Sequence, residues 1–151
     1  MLPDDLLIVT RVARSGMLVR DVFRECLSAR VQSLPYRDAS GSITGRVTLK
    51  YIANRSIVPE HVAQLALVVG DRLATFEAME RRLPEVFGHR VEDYVQEPHA
   101  SIPSATHLMK ALAIMEYYDT SYLFVIDDGV YRGTITIQGI AAWMARFDHG
   151  A

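Results

Sequence analysis

The apolar positions of the second half of the chain change period twice. Leu108, Ala111, Leu112 and Met115 fall at i, i+3, i+4 and i+7, which predicts one buried helical stripe. Ser104 precedes it as a candidate N-cap, its hydroxyl placed to accept from a free backbone N–H. The unbroken run from Tyr122 to Ile126 then predicts a short buried strand. Asp127, Asp128 and Gly129 predict a turn, because Asp bonds locally and Gly accepts positive φ. Tyr131 to Ile135 predicts a second strand, and Thr136 a cap for a last helix from Ile137 to about Arg146.

The same order occurs earlier, at an offset of 89 residues. Ser15 stands where Ser104 does, and Val19, Val22, Phe23 and Cys26 repeat the apolar stripe. Leu34 matches Leu123, and Asp38 matches Asp127. The first turn, from Asp38 to Gly41, is one residue longer, so the offset falls to 88. Gly45, Thr48, Ile52 and Ala53 then match Gly133, Thr136, Ile140 and Ala141. Each half therefore reads as short strand, helix, strand, turn, strand, helix, a β-α-β-β-α repeat. A helix crossover followed by a tight hairpin gives a small mixed sheet with helices on one face, so the class is α/β in the wider sense, α+β. One half would be marginal alone, and two packed together solve that problem.

This divides the chain into a first repeat at 1–55, a linker at 56–90 and a second repeat at 91–151. In the linker, Val62, Leu65, Ala66, Val69, Leu73, Phe76 and Met79 keep helical spacing, which predicts a helix from Glu60 to Leu83 ended by Pro84 and Gly88. Charge on one face only fits a helix packed on the core and equally an exposed seam for self-association.

Composition narrows the classes. Half of the 151 residues are hydrophobic, enough for a sizeable core, and disorder is not expected. A formal charge of -2 lacks the basic surplus of a protein that binds duplex nucleic acid. One cysteine, Cys26, excludes an intrachain disulfide, and its place on the apolar stripe reads as core. The start of the chain lacks the basic region of a signal peptide. The longest apolar run, Val62 to Gly70, is far short of the ~20 residues of a membrane span. The expected location is cytoplasmic.

The repeated pattern resembles the CBS domain family, named after cystathionine β-synthase. The resemblance rests on Ser33 to Asp38 running into Gly41 to Thr48, and on Leu123 to Asp127 running into Gly129 to Thr136. In both, an apolar strand ends in Asp, a Gly turn follows, and Gly-x-x-Thr opens a helix. Val91 to Val95 is also similar to the short segment that leads into such a domain. The resemblance implies a tandem pair, or Bateman module, with pseudo-twofold symmetry and two clefts between the sheets. It implies a homodimer, an adenine nucleotide or related ligand (AMP, ADP, ATP, NAD or S-adenosylmethionine) with no cofactor required, and a regulated partner protein.

Within that frame, Thr48 and Thr136 stand at helix starts, where free N–H groups suit a phosphate. Arg46 and Lys50 flank the first, and Arg132 lies near the second. Val12 and Ala13, or Ser101 and Ile102, offer backbone edges for a flat base, and Tyr122 is a candidate lining or plugging residue. Capping alone also explains a Thr at each start. Nucleotide-binding members usually hold Asp three residues after the Thr, gripping ribose hydroxyls. Here Tyr51 and Gly139 stand there, so the usual ribose clamp is absent from both halves. Tyr51 is placed either to stack on a base or to fill the cleft.

No catalytic constellation stands out. The five His (His61, His89, His99, His107 and His149) show neither i, i+4 pairing nor clustering with Cys. Asp127 and Asp128 read as turn residues. Trp143, Met144 and Phe147 form an aromatic patch on the last helix, expected in core or dimer contact. The expected function is a regulatory, ligand-sensing module rather than an enzyme. The alternative is a ligandless interaction scaffold with filled clefts. An empty cleft with a cation at its rim favours sensing, and a cleft plugged by Tyr51 or Tyr122 favours scaffolding.

Overall fold

The computed structural model describes residues 1–58, 76–98 and 100–150, with the side chains of residues 76–78 not described. Its elements run β1 (Ala13–Arg14), α1 (Val19–Ala29), β2 (Ser33–Arg37), β3 (Ile43–Thr48), α2 (Leu49–Ile57), α3 (Phe76–Phe87), β4 (Ser101–Ile102), α4 (Leu108–Tyr117), β5 (Tyr122–Asp127), β6 (Val130–Thr136) and α5 (Ile137–Ala145). Two three-stranded sheets result, ordered β1-β2-β3 and β4-β5-β6. In each, the first pair is parallel and the second antiparallel. The helix crossover accounts for the parallel pair and the hairpin for the antiparallel one. The class is mixed α and β, as the sequence pattern predicts.

The repeat extends to fine detail. A register irregularity falls between Tyr36 and Arg37 in one sheet and between Val125 and Ile126, the equivalent positions, in the other. The β5–β6 turn places Asp128 at φ 49° and Gly129 at φ 79°, the primed geometry that matches strand twist. The longer first turn is tied by Asp38, whose carboxylate accepts from the Ser40 and Ser42 amides.

The predicted stripes face inward. Val19, Val22 and Cys26 on α1 and Ala111 and Met115 on α4 are buried, with Phe23, Leu108 and Leu112 packed beside them. Burial pushes the Cys26 thiol up to about 12, with the neighbouring Glu25 carboxylate adding to it, so the group stays a neutral core side chain.

Both helices start later than their predicted caps. Ser15 is exposed, and α1 begins beyond Leu18, whose amide donates to the Asp21 carboxylate. His107, not Ser104, caps α4, its Nδ1 accepting from the Met109 amide. Ser104 instead donates its amide and its hydroxyl to Asp127, at 2.9 and 2.6 Å. That bonding, the Ser104 hydroxyl first, and the nearby Arg132 guanidinium hold the Asp127 carboxyl below its ordinary range.

Most of the helix predicted from Glu60 to Leu83 lies outside the described residues. Its described end corrects one expectation: Pro84 sits inside α3, which continues to Phe87. Packing explains the extra turn. Val86 is buried in the first core, and Phe87 meets Phe23 edge-on at 5.0 Å between ring centroids. Such burial outweighs the bond that proline cannot donate.

The two cores are built by exchange. Each repeat opens with a 3-10 turn, at Asp4–Leu6 and at Val91–Tyr94. Leu2 and Leu6 bury in the second core, with Ile102, Leu123 and Ile135, while Val91 and Tyr94 bury in the first, with Val19, Leu34 and Val47. The strand-like residues after each turn follow suit. Ile8 exchanges both backbone bonds with Thr134, at 2.9 and 2.8 Å, and Gln96 does so with Arg46, at 2.9 and 2.8 Å. These pairs coincide under the repeat offset, so the leading segment of each half completes the sheet of the other.

Gly45 and Gly133 make those crossings possible. A Cβ on Gly45 would lie 2.7 Å from both the Gln96 carbonyl oxygen and Val95 Cγ1, and one on Gly133 would lie 3.2 Å from the Ile8 carbonyl oxygen. The glycine of each Gly-x-x-Thr motif therefore answers to the close approach of an exchanged segment.

Candidate functional site

Thr48 and Thr136 both act as helix caps. Thr48 Oγ1 accepts from the Tyr51 amide at 3.1 Å, and Thr136 Oγ1 accepts from the Gly139 amide at 3.0 Å. Around Thr48 the chain forms an open cleft of about 370 Å³ between the repeats. One wall is the start of α2, with Thr48, Lys50, Tyr51 and Asn54. The other is the chain entering β5, from Asp119 to Tyr122. Gln32 and Gln96 also line it.

Arg46 ties the walls together. Its backbone pairs with Gln96, its Nε donates to the Glu97 carbonyl at 3.2 Å, and its Nη1 donates to the Tyr122 hydroxyl at 2.9 Å. A second tie joins equivalent positions of the two repeats: Ser121 Oγ donates to Gln32 Oε1 at 2.8 Å. Among the lining residues Arg46 and Lys50 are cationic and Asp119 is the carboxylate, so the cleft has a positive excess beside a helix start. Its amide, hydroxyl and phenol groups can meet both donors and acceptors of a flat heterocycle.

Of the residues singled out from sequence, Arg46, Thr48, Lys50, Tyr51 and Tyr122 come together here. Tyr51 is half-buried and lines the space without filling it; Tyr122 is buried and forms part of the wall. The others lie elsewhere. Val12 precedes β1, and Ala13 is buried in the first core. Ser101 is exposed on β4, and Ile102 is buried in the second core. Arg132 pairs with Asp127 at 3.4 Å beyond the β5–β6 turn, drawn to that end of the hairpin. Thr136 caps α5.

Sequence reasoning passed over Gln32, Asn54, Gln96, Asp119, Thr120 and Ser121. The repeat offset could have found Gln32 and Ser121, because a twofold axis brings equivalent positions face to face. Asn54 lies four residues after Lys50, on the same helical face. Nothing local marks Gln96, whose place depends on the exchange.

Three of the groups weighed for catalysis have structural partners. His89 Nδ1 lies 2.7 Å from the Tyr94 hydroxyl, His107 caps α4, and Asp127 holds Ser104 and Arg132. Among the described residues no cluster of three His, Cys, Asp or Glu could hold a metal ion. No described helix is long and apolar enough to cross a membrane.

Residues 91–146 match the CBS domain family. No curated protein matches the chain. Among solved structures, the chain is similar to the CBS domain of a CBS domain containing membrane protein from Sphaerobacter thermophilus, with TM-score 0.65 and 16% identity over 92% of this chain and 85% of that one. It is similar to a CBS domain-containing protein from Bacillus anthracis, with TM-score 0.65 and 14% identity over 98% and 95% of the two chains. It is also similar to CBSX2 in complex with AMP, with TM-score 0.62, 18% identity and 95% of each chain covered. The fold of CBS-domain proteins thus extends over both repeats.

Proposed function

From the premise that this chain has the fold of a CBS pair, with a CBS domain at residues 91–146, we propose that it is a cytoplasmic sensor that takes an adenine nucleotide or related anionic ligand in the Arg46 cleft and passes its occupancy to a partner protein. One observation carries this reading. The cleft is open, at about 370 Å³, and cationic, with neither Tyr51 nor Tyr122 plugging it. That space falls within the range of small-molecule sites. CBSX2, of the same fold, is in complex with AMP. Regulation follows from position: a ligand held by groups from both repeats favours one arrangement of the halves over others. Tyr51 stands where the usual carboxylate does, so recognition rests on the anionic group and the base, and Asp119 is the lining carboxylate left for ribose hydroxyls.

A homodimer belongs to the same proposal, supported by Met144 and Phe147, which stand 57% and 60% exposed on and just after α5. Sedimentation as a monomer at high micromolar concentration removes it.

Thermal unfolding against AMP, ADP, ATP, NAD and S-adenosylmethionine tests the sensor. At ligand about 100-fold above its dissociation constant, binding adds about 2.7 kcal/mol, which raises Tm by roughly 5–10 °C for a chain of this size. A selective rise is the expected result. No rise with any of the five at millimolar concentration rejects the sensor and leaves the scaffold.

A further inference from the structure

A groove of about 420 Å³ runs between α1 and α3, lined by Arg20, Phe23, Arg24, Leu27, Pro84 and Phe87. It shares no lining residue with the Arg46 cleft. Phe23 and Phe87 meet edge-on within it, and Leu27 stands 68% exposed at its side. The two arginines sit at i and i+4 of α1, so both side chains leave the helix on one face. Carboxylates of the same helix could offset them, but those are committed elsewhere. Asp21 accepts from the Leu18 amide at 3.0 Å, and Glu25 accepts from the Arg11 amide at 3.0 Å. Among the described residues neither arginine forms an ion pair.

The fold does not require this combination of charge and apolar surface. The positions equivalent to Arg20, Phe23, Arg24 and Leu27 hold Met109, Leu112, Ala113 and Glu116, so the second repeat builds the same helix with no cation on that face. The groove also has a physical route to the ligand cleft. Arg20 Nε donates to the Phe87 carbonyl at 3.3 Å, and the Val19 amide donates to the His89 carbonyl at 2.9 Å, which fastens the end of α3 to α1. From there the chain runs through buried Val91 and Tyr94 to Gln96, whose two backbone bonds hold Arg46 at the cleft. A shift of the exchanged segment therefore moves one wall of the groove against the other.

We propose that this groove is the docking surface for the regulated partner, and that its occupant is an acidic segment of that protein bearing a bulky apolar side chain. The apolar side chain seats against Phe23, Leu27 and Phe87, and the carboxylates beside it meet Arg20 and Arg24. Charge of one sign around an apolar centre selects acidic sequences and rejects basic ones. This rests on the reading of the chain as a sensor with a partner, and gives that partner a place and a chemistry. Ligand and partner are then coupled, each changing the affinity of the other by the same factor.

Selection of short random peptides displayed on phage, against the full chain, tests it. Enriched peptides are expected to carry Asp or Glu beside Leu, Phe or Trp. By fluorescence anisotropy the tightest of them is expected to bind Arg24→Glu about tenfold more weakly than the wild type, and to weaken as salt rises. Arg24→Glu keeps the wild-type melting temperature and AMP affinity, which separates docking from folding. Saturating AMP is expected to change the peptide's dissociation constant by about fivefold or more. No enrichment, enrichment without acidic residues, or equal binding to Arg24→Glu overturns the docking surface. A dimer that Arg24→Glu turns into a monomer in sedimentation gives the groove to a second copy and overturns it too. Acidic peptides that bind a chain to which AMP does not bind keep the surface and remove the nucleotide reading. AMP binding without peptide binding does the reverse. Binding of both with no effect on each other removes the coupling.

Discussion

Replacing Leu6 by alanine is expected to destabilise the protein by about 2–5 kcal/mol, although the residue lies at the very start of the chain. Terminal residues usually tolerate change, because few contacts hold them. Leu6 is different, because it is 4% exposed and closes the second core, with Ile102, Leu123 and Ile135 as companions. Its counterpart Tyr94 closes the first core. Truncation leaves a cavity far along the sequence from the mutation, in the repeat that follows the linker. For a chain of this length the loss corresponds to a fall in Tm of roughly 4–20 °C. Val9→Ala, at a neighbouring exposed position, is the control and should change stability by less than about 0.5 kcal/mol. Equal melting of Leu6→Ala and the control would mean that the leading segment does not seal the second core.

Gly45→Ala is the second large effect, expected to cost about 3 kcal/mol or more. The added Cβ would meet a backbone oxygen of Gln96 and a methyl of Val95, each at 2.7 Å. Backbone cannot rotate away as a side chain can, so the exchanged segment has to move. Overpacking of this kind typically costs about 1–3 kcal/mol. Displacing the segment also breaks the two Arg46–Gln96 backbone bonds, each worth about 1 kcal/mol. Arg46 moves with them, so affinity for the proposed ligand is expected to fall as well. Gly88→Ala meets ordinary contacts, 3.4 Å to the Glu85 carbonyl oxygen and 3.8 Å to Arg20 Nη2, and is expected to cost less than about 1 kcal/mol. Chemical denaturation of both variants reads the difference, and similar costs would mean that the exchanged segment yields freely.

The repeat was legible because its signals are local. The stripes at Val19–Cys26 and Leu108–Met115, the Asp–Gly turn and the caps Thr48 and Thr136 each depend on neighbours within a few residues. Ser15 and Ser104 misled because capping propensity does not say which partner a serine finds. Asp127, in the next strand, took Ser104. Pro84 misled because the packing of Val86 and Phe87 outweighs a missing amide. The exchange left almost no local trace: Leu2 and Leu6 look like an ordinary apolar start, and nothing near Gln96 names Arg46 as its partner. The cleft divides along the same line. Arg46, Thr48 and Lys50 stand out by their spacing around a helix start, and Tyr51 by the family resemblance, which places a carboxylate at its position. Gln96 and the chain from Asp119 to Ser121 reach the cleft through tertiary placement. Arg132, close to Thr136 in sequence, was drawn to Asp127 by charge.

Backbone amide NMR during titration with AMP tests most directly whether the Arg46 cleft is the ligand site. Saturable shifts are expected to gather at Gln32, from Arg46 to Asn54 and from Asp119 to Tyr122, while the equivalent stretch from Thr134 to Ala142 stays unmoved. Shifts centred on Thr134 to Ala142, or none at millimolar AMP, would contradict it.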